Sequence, residues 1–246
     1  MNTPSTMRAV RFADHGGPDV LTVDDVPVPR PGPGEVRVRV LSTALNHLDL
    51  WVRRGLPIEI TMPHVGGSDL AGVVDALGEG VSTTTGLDGR ETPLEAGMRA
   101  VVDPSLEWVE PSSDPATWAT NPAGLRLIGE HVDGGFAQYA VVPAENVVPL
   151  PPDVDLDQAA AGSLAGVTAW RAVVTRGRVR AGETVLVTGA SGGVSTMAIQ
   201  IARARGARVI ALTSTPWVER VAALGADVVL DRHEGAWASA TRAAAD

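Results

Sequence analysis

A glycine-rich turn is the segment of this sequence whose residue types point to the most definite chemistry. It reads Thr184-Val-Leu-Val-Thr-Gly-Ala-Ser-Gly-Gly-Val194, and it lies between a β-branched run and an amphipathic helical pattern. Backbone N–H groups in such a turn can approach a pyrophosphate, whose charge the positive end of the helix stabilises. The residues predicted to contact this group are Ser191, Gly192, Gly193 and Val194. An ordinary tight turn is the alternative, but the order strand, turn, helix, strand favours a dinucleotide site.

A second polar cluster follows the next predicted strand, where the chain reads Leu212-Thr-Ser-Thr-Pro216. A carboxylate about 20 residues past the turn usually binds the ribose hydroxyls of NAD. This segment has no acid, and Thr213, Ser214 and Thr215 offer hydroxyl groups instead. NADP(H) is therefore favoured over NAD(H). Arg220 would add positive charge, although a solvated helix residue is the commoner role for an arginine.

The elements that position these residues fall into two patterns. Up to Leu150 the chain has short β-like runs separated by Gly and Pro, and the alternating prolines from 27 to 33 predict an extended linker. The predicted strands here are Met7–Phe12, Glu35–Leu41, Gly72–Ala76, Met98–Val102 and Ala137–Val142.

From Asp155 onward helical and strand patterns alternate, which is typical of a parallel sheet. The predicted elements are helices over Asp157–Arg176, Val194–Arg205 and Trp217–Leu224 and strands over Thr184–Thr188, Arg208–Leu212 and Val228–Leu230. We therefore expect a mainly β domain over residues 1–154 and an α/β domain over residues 155–246. The second domain would hold three strands of a doubly wound sheet that normally has about six.

Composition excludes several other classes of protein. The 246 residues carry a formal net charge of −9, so no basic surface is expected for nucleic acid or an anionic membrane. The absence of cysteine excludes a thiolate nucleophile and any cysteine-ligated zinc site. No long apolar run or secretion signal is present, so we expect a soluble, cytoplasmic protein that acts on small molecules.

Several motifs, in order, resemble those of the medium-chain dehydrogenase/reductases over nearly the whole chain. They are Asn46-His-Leu-Asp-Leu-Trp-Val-Arg-Arg-Gly55, Gly67-Ser-Asp-Leu-Ala-Gly72, Asp133-Gly-Gly-Phe-Ala-Gln-Tyr139, Thr188-Gly-Ala-Ser-Gly-Gly-Val194 and Leu224-Gly-Ala-Asp227. The Asn, Asp, Arg and Gly spacing of the first motif is similar to that of the zinc-free, quinone oxidoreductase-like (zeta-crystallin-like) branch. The resemblance implies a GroES-like N-terminal domain followed by a partial Rossmann domain.

The zinc ligands of the alcohol dehydrogenase branch have no counterpart in this sequence. Asn46, Ser68 and Leu164 occupy the positions where that branch has cysteine, histidine and cysteine. The place of its structural zinc lobe, Pro104 to Asn121, contains no cysteine, so this stretch is expected either to be ordered by other interactions or to be mobile. We expect no metal site, because the spacing of the remaining candidates does not suggest one. Those candidates are His47, Asp49, His64, Asp69, Glu130 and His131.

The resemblance implies that hydride passes from NADPH to a quinone or an α,β-unsaturated carbonyl, with water as the proton donor. It places Asn46 near the nicotinamide and the substrate, as a catalytic and cofactor-binding residue, and Thr168 on the nicotinamide side. The structural alternatives are a helix cap for Asn46 and a hydroxyl bonded to the preceding turn for Thr168. Asp49 and Arg53, one helical turn apart, are expected to form a structural ion pair.

Two departures from the family pattern keep other functions open. Ser195 replaces the last glycine of the turn and is expected to crowd the packing of helix on strand. The shortened Rossmann domain would leave an open sheet edge that invites a partner strand. A truncated, non-catalytic scaffold or weak cofactor binder is therefore one alternative, and an alcohol dehydrogenase-like carbonyl reductase is another. The expected partners are a small-molecule electron acceptor and a second copy in a homodimer or larger homo-oligomer.

Overall fold

The computed structural model describes residues 3–86, 89–106 and 125–245. The chain divides into two compact units, Met1–Leu164 and Ala165–Asp246. This division falls inside the helix Leu156–Trp170, ten residues beyond the predicted boundary at residue 154. The domain limits drawn from the sequence therefore stay a prediction.

The first unit is mainly β, as the sequence predicts. Its strands, and the α-helix that lies wholly within it, are β1 Thr6–Phe12, β2 Thr22–Pro27, β3 Glu35–Ala44, α1 His47–Arg54, β4 His64–Val65, β5 Asp69–Leu77, β6 Thr83–Thr85, β7 Glu91–Pro93, β8 Arg99–Val102, β9 Ser105–Leu106, β10 Arg126–Leu127, β11 Tyr139–Pro143 and β12 Val147–Pro149. A five-stranded sheet has the order β11-β3-β5-β8-β12, and a second sheet has the order β2-β1-β4. Two antiparallel pairs, β6 with β7 and β9 with β10, complete the described strands.

Alternation in β3 shows why this unit folds as a sheet. Val36 and Val38 are fully buried, whereas Arg37 between them is only partly buried and pairs with Asp75 at 2.7 Å. Strand β5 contributes Leu70 and Val74 to the same core. One polar face and one apolar face are what a half-buried antiparallel sheet requires. The GroES-like, β-rich architecture is thereby confirmed.

Gly72 on β5 is required by a close approach of two strands. A Cβ atom at this position would lie 2.0 Å from the carbonyl oxygen of Arg39 on β3. The register between the two strands shifts between Val40 and Ser42, so the approach lies next to a bulge. Only glycine fits here.

The predicted linker lies among the described residues, whereas most of the stretch in the place of the structural zinc lobe does not. Strand β2 ends at Pro27 and β3 begins at Glu35, so the alternating prolines do connect two strands. Residues 107–121 of that stretch lie outside the described residues.

The second unit holds a parallel half-sheet covered by helices. Its elements, with the helix that enters it, are α2 Leu156–Trp170, β13 Thr184–Thr188, α3 Gly193–Ala204, β14 Arg208–Thr213, α4 Val218–Ala223, β15 Val228–Asp231 and α5 Trp237–Ala245. The strands are parallel in the order β13-β14-β15, and residues 171–176 extend α2 as a π-helical segment. The partial Rossmann fold is confirmed. Helix α5 was not among the predicted elements.

Asp227, just before β15, fixes the packing of this half-sheet. Its carboxylate accepts a 2.8 Å hydrogen bond from the Arg203 guanidinium on α3 and a 2.7 Å bond from the Val209 backbone N–H on β14. Ile199 on α3 is fully buried in the same core. One carboxylate therefore ties the helix after the glycine-rich turn to the strand that follows it.

None of the helices in the described parts of the chain has the length and apolar character needed to span a bilayer.

Candidate functional site

The predicted site residues fall into two groups, one on each unit. Asn46 belongs to the first unit, and the other predicted residues belong to the second.

Asn46 lies at the N-terminal end of α1 and is held there by two hydrogen bonds. Its backbone N–H donates to the Asp49 carboxylate at 2.6 Å, and its side-chain Nδ2 donates to Asp69 Oδ2 at 2.8 Å. Asn46 is the N-cap residue of the helix, with extended backbone angles. The residue thus has a structural role whatever it contacts in addition.

Asp69 is the centre of the polar cluster in the first unit. It is 1% exposed, and its second carboxylate oxygen accepts a 2.7 Å hydrogen bond from the Leu164 backbone N–H. The Thr43 hydroxyl donates to the Asp69 backbone carbonyl at 2.5 Å. The cluster therefore brings together the three positions that correspond to zinc ligands, because Asn46 and Leu164 both bind Asp69 and Ser68 precedes it in the chain.

The side chains at these three positions do not fit a zinc ion. They offer an amide, a hydroxyl and an alkyl side chain, whereas zinc takes thiolate, imidazole and carboxylate ligands. Over residues 3–86, 89–106 and 125–245, no group of three His, Asp or Glu side chains is arranged to hold a metal ion.

Burial governs the electrostatics of the two carboxyl groups. It raises the pKa of Asp69 above its ordinary value, although the hydrogen bonds from Leu164 and Asn46 act in the opposite direction. Burial also raises the pKa of Asp49, and the nearby charge of Asp69 adds to that increase. Both carboxyl groups are therefore costly to ionise in the folded protein.

The predicted ion pair between Asp49 and Arg53 is wrong. The Asp49 carboxylate accepts a hydrogen bond from the N–H of Asn46, the N-cap residue of α1. It is therefore directed toward the start of the helix and not toward Arg53 in the next turn. Arg53, 5% exposed, donates from its guanidinium to the Gly16 carbonyl at 3.0 Å. The spacing was suitable for a pair, but each side chain has a nearer partner.

A large groove on the first unit borders the polar cluster around Asn46 and Asp69. It has a volume of about 780 Å³, and its lining is mostly apolar. Leu41, Leu45 and Phe136 lie along it, and Asp49 borders it, whereas Asn46 does not line it. We assign it no ligand.

The glycine-rich turn in the second unit has the geometry expected of a phosphate site. The Gly192 N–H donates to the Gly189 carbonyl at 2.9 Å, and α3 begins at Gly193 with Gly192 as its N-cap. The N–H groups in the first turn of a helix have no intrahelical partners and attract an anion. A Cβ atom on Gly193 would meet only Ala165, at 3.9 Å. The chain's own packing does not demand a glycine there, which fits a backbone kept bare for a ligand.

Contrary to the expectation from the sequence, Ser195 does not crowd the packing of helix on strand. Its hydroxyl donates to the Thr188 carbonyl at 3.1 Å, so it joins the start of α3 to the end of β13. The turn is also joined to the next strand, because the Ala190 N–H donates to the Leu212 carbonyl at 3.0 Å. The carboxyl ends of β13 and β14 therefore meet at one edge, and this edge brings Ser191, Gly192, Gly193 and Val194 near the end of the strand that carries Thr213.

The three hydroxyl residues after Leu212 have different surroundings. Thr213 is only 2% exposed. The Ser214 carbonyl accepts a 2.9 Å hydrogen bond from the Trp217 N–H. Thr215 is exposed, and its hydroxyl lowers the pKa of the Asp231 carboxyl group, to which it is close enough to donate. The three side chains are thus not an equivalent set of free donors.

Asp231 is a polar residue at this edge that sequence reasoning missed. It is the last residue of β15 and pairs in register with Thr213 of β14. The Thr215 hydrogen bond is the largest cause that lowers its pKa, followed by the bond from the His233 N–H. A negative charge is therefore present beside a loop whose own sequence contains no acid. Parallel pairing of β14 and β15 creates this proximity, and no spacing in the sequence signals it.

The remaining predicted residues are exposed on the surface of their units. Thr168 lies on α2 and is exposed, and His47 is exposed with its ring 6.3 Å from that of Trp51. The Arg220 guanidinium lies 5.3 Å from the centre of the Trp217 ring, in a cation–π arrangement on the surface. Contacts of Asn46 and Thr168 with a nicotinamide stay predictions.

A β-rich unit followed by a parallel half-sheet with this turn is the arrangement of a dinucleotide-dependent oxidoreductase. Residues 32–152 match the sequence family described as the alcohol dehydrogenase GroES-like domain. A crystal structure of an NAD-dependent alcohol dehydrogenase superposes with a TM-score of 0.85 at 41% identity, over 97% of this chain and 67% of that one. This chain belongs to the medium-chain dehydrogenase/reductase superfamily.

Curated relatives bear names from both branches of the superfamily. An alcohol dehydrogenase of Schizosaccharomyces pombe is 34% identical over 238 residues, which cover 94% of this chain and 64% of the relative. The quinone oxidoreductase of Homo sapiens is 32% identical over 211 residues, which cover 85% of this chain and 53% of the relative. The chain thus spans between about half and two thirds of the length of these relatives.

Proposed function

We propose that this chain takes part in a zinc-free hydride transfer from NADPH to a quinone or an α,β-unsaturated carbonyl. The observation that carries the proposal is the bare glycine-rich turn, which begins α3 and is bonded to the end of β14. When bound there, a nicotinamide dinucleotide supplies the hydride, and the protein supplies binding and orientation. Gly192 and Gly193 would hold the pyrophosphate, and the loop Thr213–Thr215 would contact the adenosine ribose.

In the first unit, the proposed role of Asn46 depends on its hydrogen bond to Asp69. The bond fixes the orientation of the amide, and Asp69 is itself fixed by the backbone of Leu164. Such a fixed amide can orient a carbonyl oxygen without a metal ion. The donor set around Asp69 does not fit zinc, so no step of the proposal passes through a metal. The proton that completes the reduction comes from water.

One rival function has support of its own. The names of the Schizosaccharomyces pombe relative and of the crystallised NAD-dependent protein favour a carbonyl reductase of the alcohol dehydrogenase type. NADP(H), the cytoplasmic location and the homodimer or larger homo-oligomer stay predictions.

Titration of the 246-residue chain with NADPH and with NADH, followed by nucleotide fluorescence, tests the cofactor part of the proposal. Turnover is then measured with a small quinone, an enone and a simple ketone. We expect NADPH binding and reduction of the quinone or the enone. Reduction of the ketone alone would favour the carbonyl reductase, and binding without turnover would favour the non-catalytic protein. Absence of binding by both nucleotides would overturn the proposed function.

A further inference from the structure

The carboxyl end of β15 brings a fixed negative charge to the edge where the cofactor is proposed to bind. Asp231 closes β15 opposite Thr213, and the next residue continues the pairing, because the Arg232 N–H donates to the Thr213 carbonyl at 2.8 Å. The two strand ends are therefore held side by side. Asp231 comes from a different segment of the chain from the loop that follows β14, yet the two lie together.

A backbone hydrogen bond holds the Asp231 carboxylate in place, because the His233 N–H donates to Oδ1 at 2.9 Å. The Thr215 hydroxyl is close enough to the same carboxylate to lower its pKa as a hydrogen-bond donor. The group is only partly exposed, unlike a mobile surface carboxylate. Its pKa is lowered, chiefly by the Thr215 bond, so the side chain is ionised at neutral pH. It is a fixed charge one hydrogen bond away from Thr215.

The positive groups near this loop have partners of their own, and Arg232 and His233 also act electrostatically on the Asp231 carboxylate. The Arg220 guanidinium lies over the ring of Trp217. The Arg232 side chain donates from Nε to the ring of His233, its neighbour in the chain, at 3.4 Å. A phosphate beside Thr215 would therefore meet the Asp231 carboxylate on the side where the loop is bonded to β15.

We propose that Asp231 is a specificity-determining residue that selects between the two nicotinamide dinucleotides. The proposal rests on the proposed function, because it takes Thr215 as a contact of the adenosine ribose. A ribose 2′-hydroxyl can donate a hydrogen bond to a carboxylate, whereas a 2′-phosphate is repelled by it. Asp231 thus opposes the preference for NADPH that the acid-free loop would give, and the two effects together set a weak discrimination in the native chain.

Substitution of Asp231 by Asn removes the charge and leaves an oxygen that accepts from Thr215 and His233. We expect the Kd for NADPH to fall about tenfold, the effect of a unit charge on a doubly charged phosphate in a water-like dielectric. The Kd for NADH should stay the same or rise by about twofold. The gain for NADPH should shrink in high salt, because salt screens charges at the surface.

A matched control is Glu183→Gln, which removes one carboxylate at the start of β13, the opposite end of the sheet. It should leave the ratio of the two Kd values unchanged. Asp231→Ser provides a second neutral variant should Asn not be tolerated, and unfolding curves check that each variant folds. Equal changes in both Kd values, or no change, would overturn the proposed role of Asp231 and would leave the proposed function untouched. Failure of the native chain and of both neutral variants to bind either nucleotide would instead overturn the proposed function on which this role rests.

Discussion

The side-chain amide of Asn46 donates a 2.8 Å hydrogen bond to the buried carboxylate of Asp69, 23 residues further along the chain. This contact joins the start of α1 to the start of β5. It also means that a residue proposed for chemistry is at the same time the hydrogen-bond partner of a buried carboxylate in the first unit. Substitutions at Asn46 must therefore be assessed for stability before they are assessed for activity.

Asn46→Ala is expected to destabilise the protein by about 1–3 kcal/mol, because it leaves one oxygen of a buried carboxylate without its donor. Urea unfolding of the variant and of the native chain gives the difference. Leu45→Ala is the matched control, because Leu45 is 81% exposed and its truncation should change little. An equal loss in the two variants would contradict the importance of the Asp69 contact.

The raised pKa of Asp69 predicts a particular pH dependence of stability. An unfolded aspartate titrates near 3.8, and burial raises the pKa in the folded state, so the folded state binds more protons just above pH 3.8. Stability therefore falls as pH rises from 3.8 through the folded pKa. In Asp69→Asn this part of the fall should vanish. Unfolding free energies measured from pH 4 to 7 in both proteins check it.

Asp24 provides the opposite case as a control. Its hydrogen bond from Arg11 is the main cause of a lowered pKa, so its contribution to stability is present above 3.8 and is lost as pH falls through the folded pKa. Asp24→Asn should therefore leave the decline above pH 3.8 intact. The same decline in Asp69→Asn as in the native chain would contradict the assignment to Asp69.

Asp49 is expected to act through the N-terminus of α1 and not through Arg53. Asp49→Ala removes the acceptor for the Asn46 N–H and should cost about 1 kcal/mol. Asp49→Asn keeps an acceptor and avoids burying a charge, so its cost should be smaller. Thermal unfolding of the two variants measures the difference. If Asn were as costly as Ala, the capping contact would not explain the role of Asp49.

Gly193→Ala separates the proposed binding role of the turn from its structural role. The added Cβ would make only an ordinary contact with Ala165, and alanine favours a helix, so stability should be unchanged or slightly raised. Cofactor affinity should fall about tenfold, because the methyl group obstructs close approach of a pyrophosphate to the backbone. Ser195→Gly is a useful companion, because it alters the same turn without adding an atom. Unchanged affinity in Gly193→Ala would argue against a phosphate site.

Elements with a clear pattern were predictable from the sequence, whereas contacts between segments were not. The alternation in β3 and the β-branched run of β13 indicate strands directly. Strands of two or three residues, such as β4 and β9, are too short to show periodicity and were missed. Helix α5, at the end of the described chain, was also missed.

In the candidate site, too, contacts between separate segments of the chain could not be predicted from the sequence. The glycine-rich turn is contiguous in sequence and was predicted, although its contact with a cofactor is still to be tested. The Asp231 carboxylate lies beside Thr215 only because β14 and β15 pair in parallel, and the spacing of these residues does not reveal that register. Asp49 and Arg53 have the spacing of an ion pair, but the spacing does not reveal that each side chain has a different, nearer hydrogen-bond partner.

The two hydrogen bonds at Asp69 have a consequence for the history of this protein. To gain a zinc ion at Asn46, Ser68 and Leu164, a descendant would need new ligands at all three positions, and any one of them alone would bind the metal weakly. The first such change at Asn46 would also remove a donor from a buried carboxylate. A change at Asn46 therefore costs stability before any benefit appears, whereas a change at Leu164 would keep its contact with Asp69, which is made by the backbone N–H.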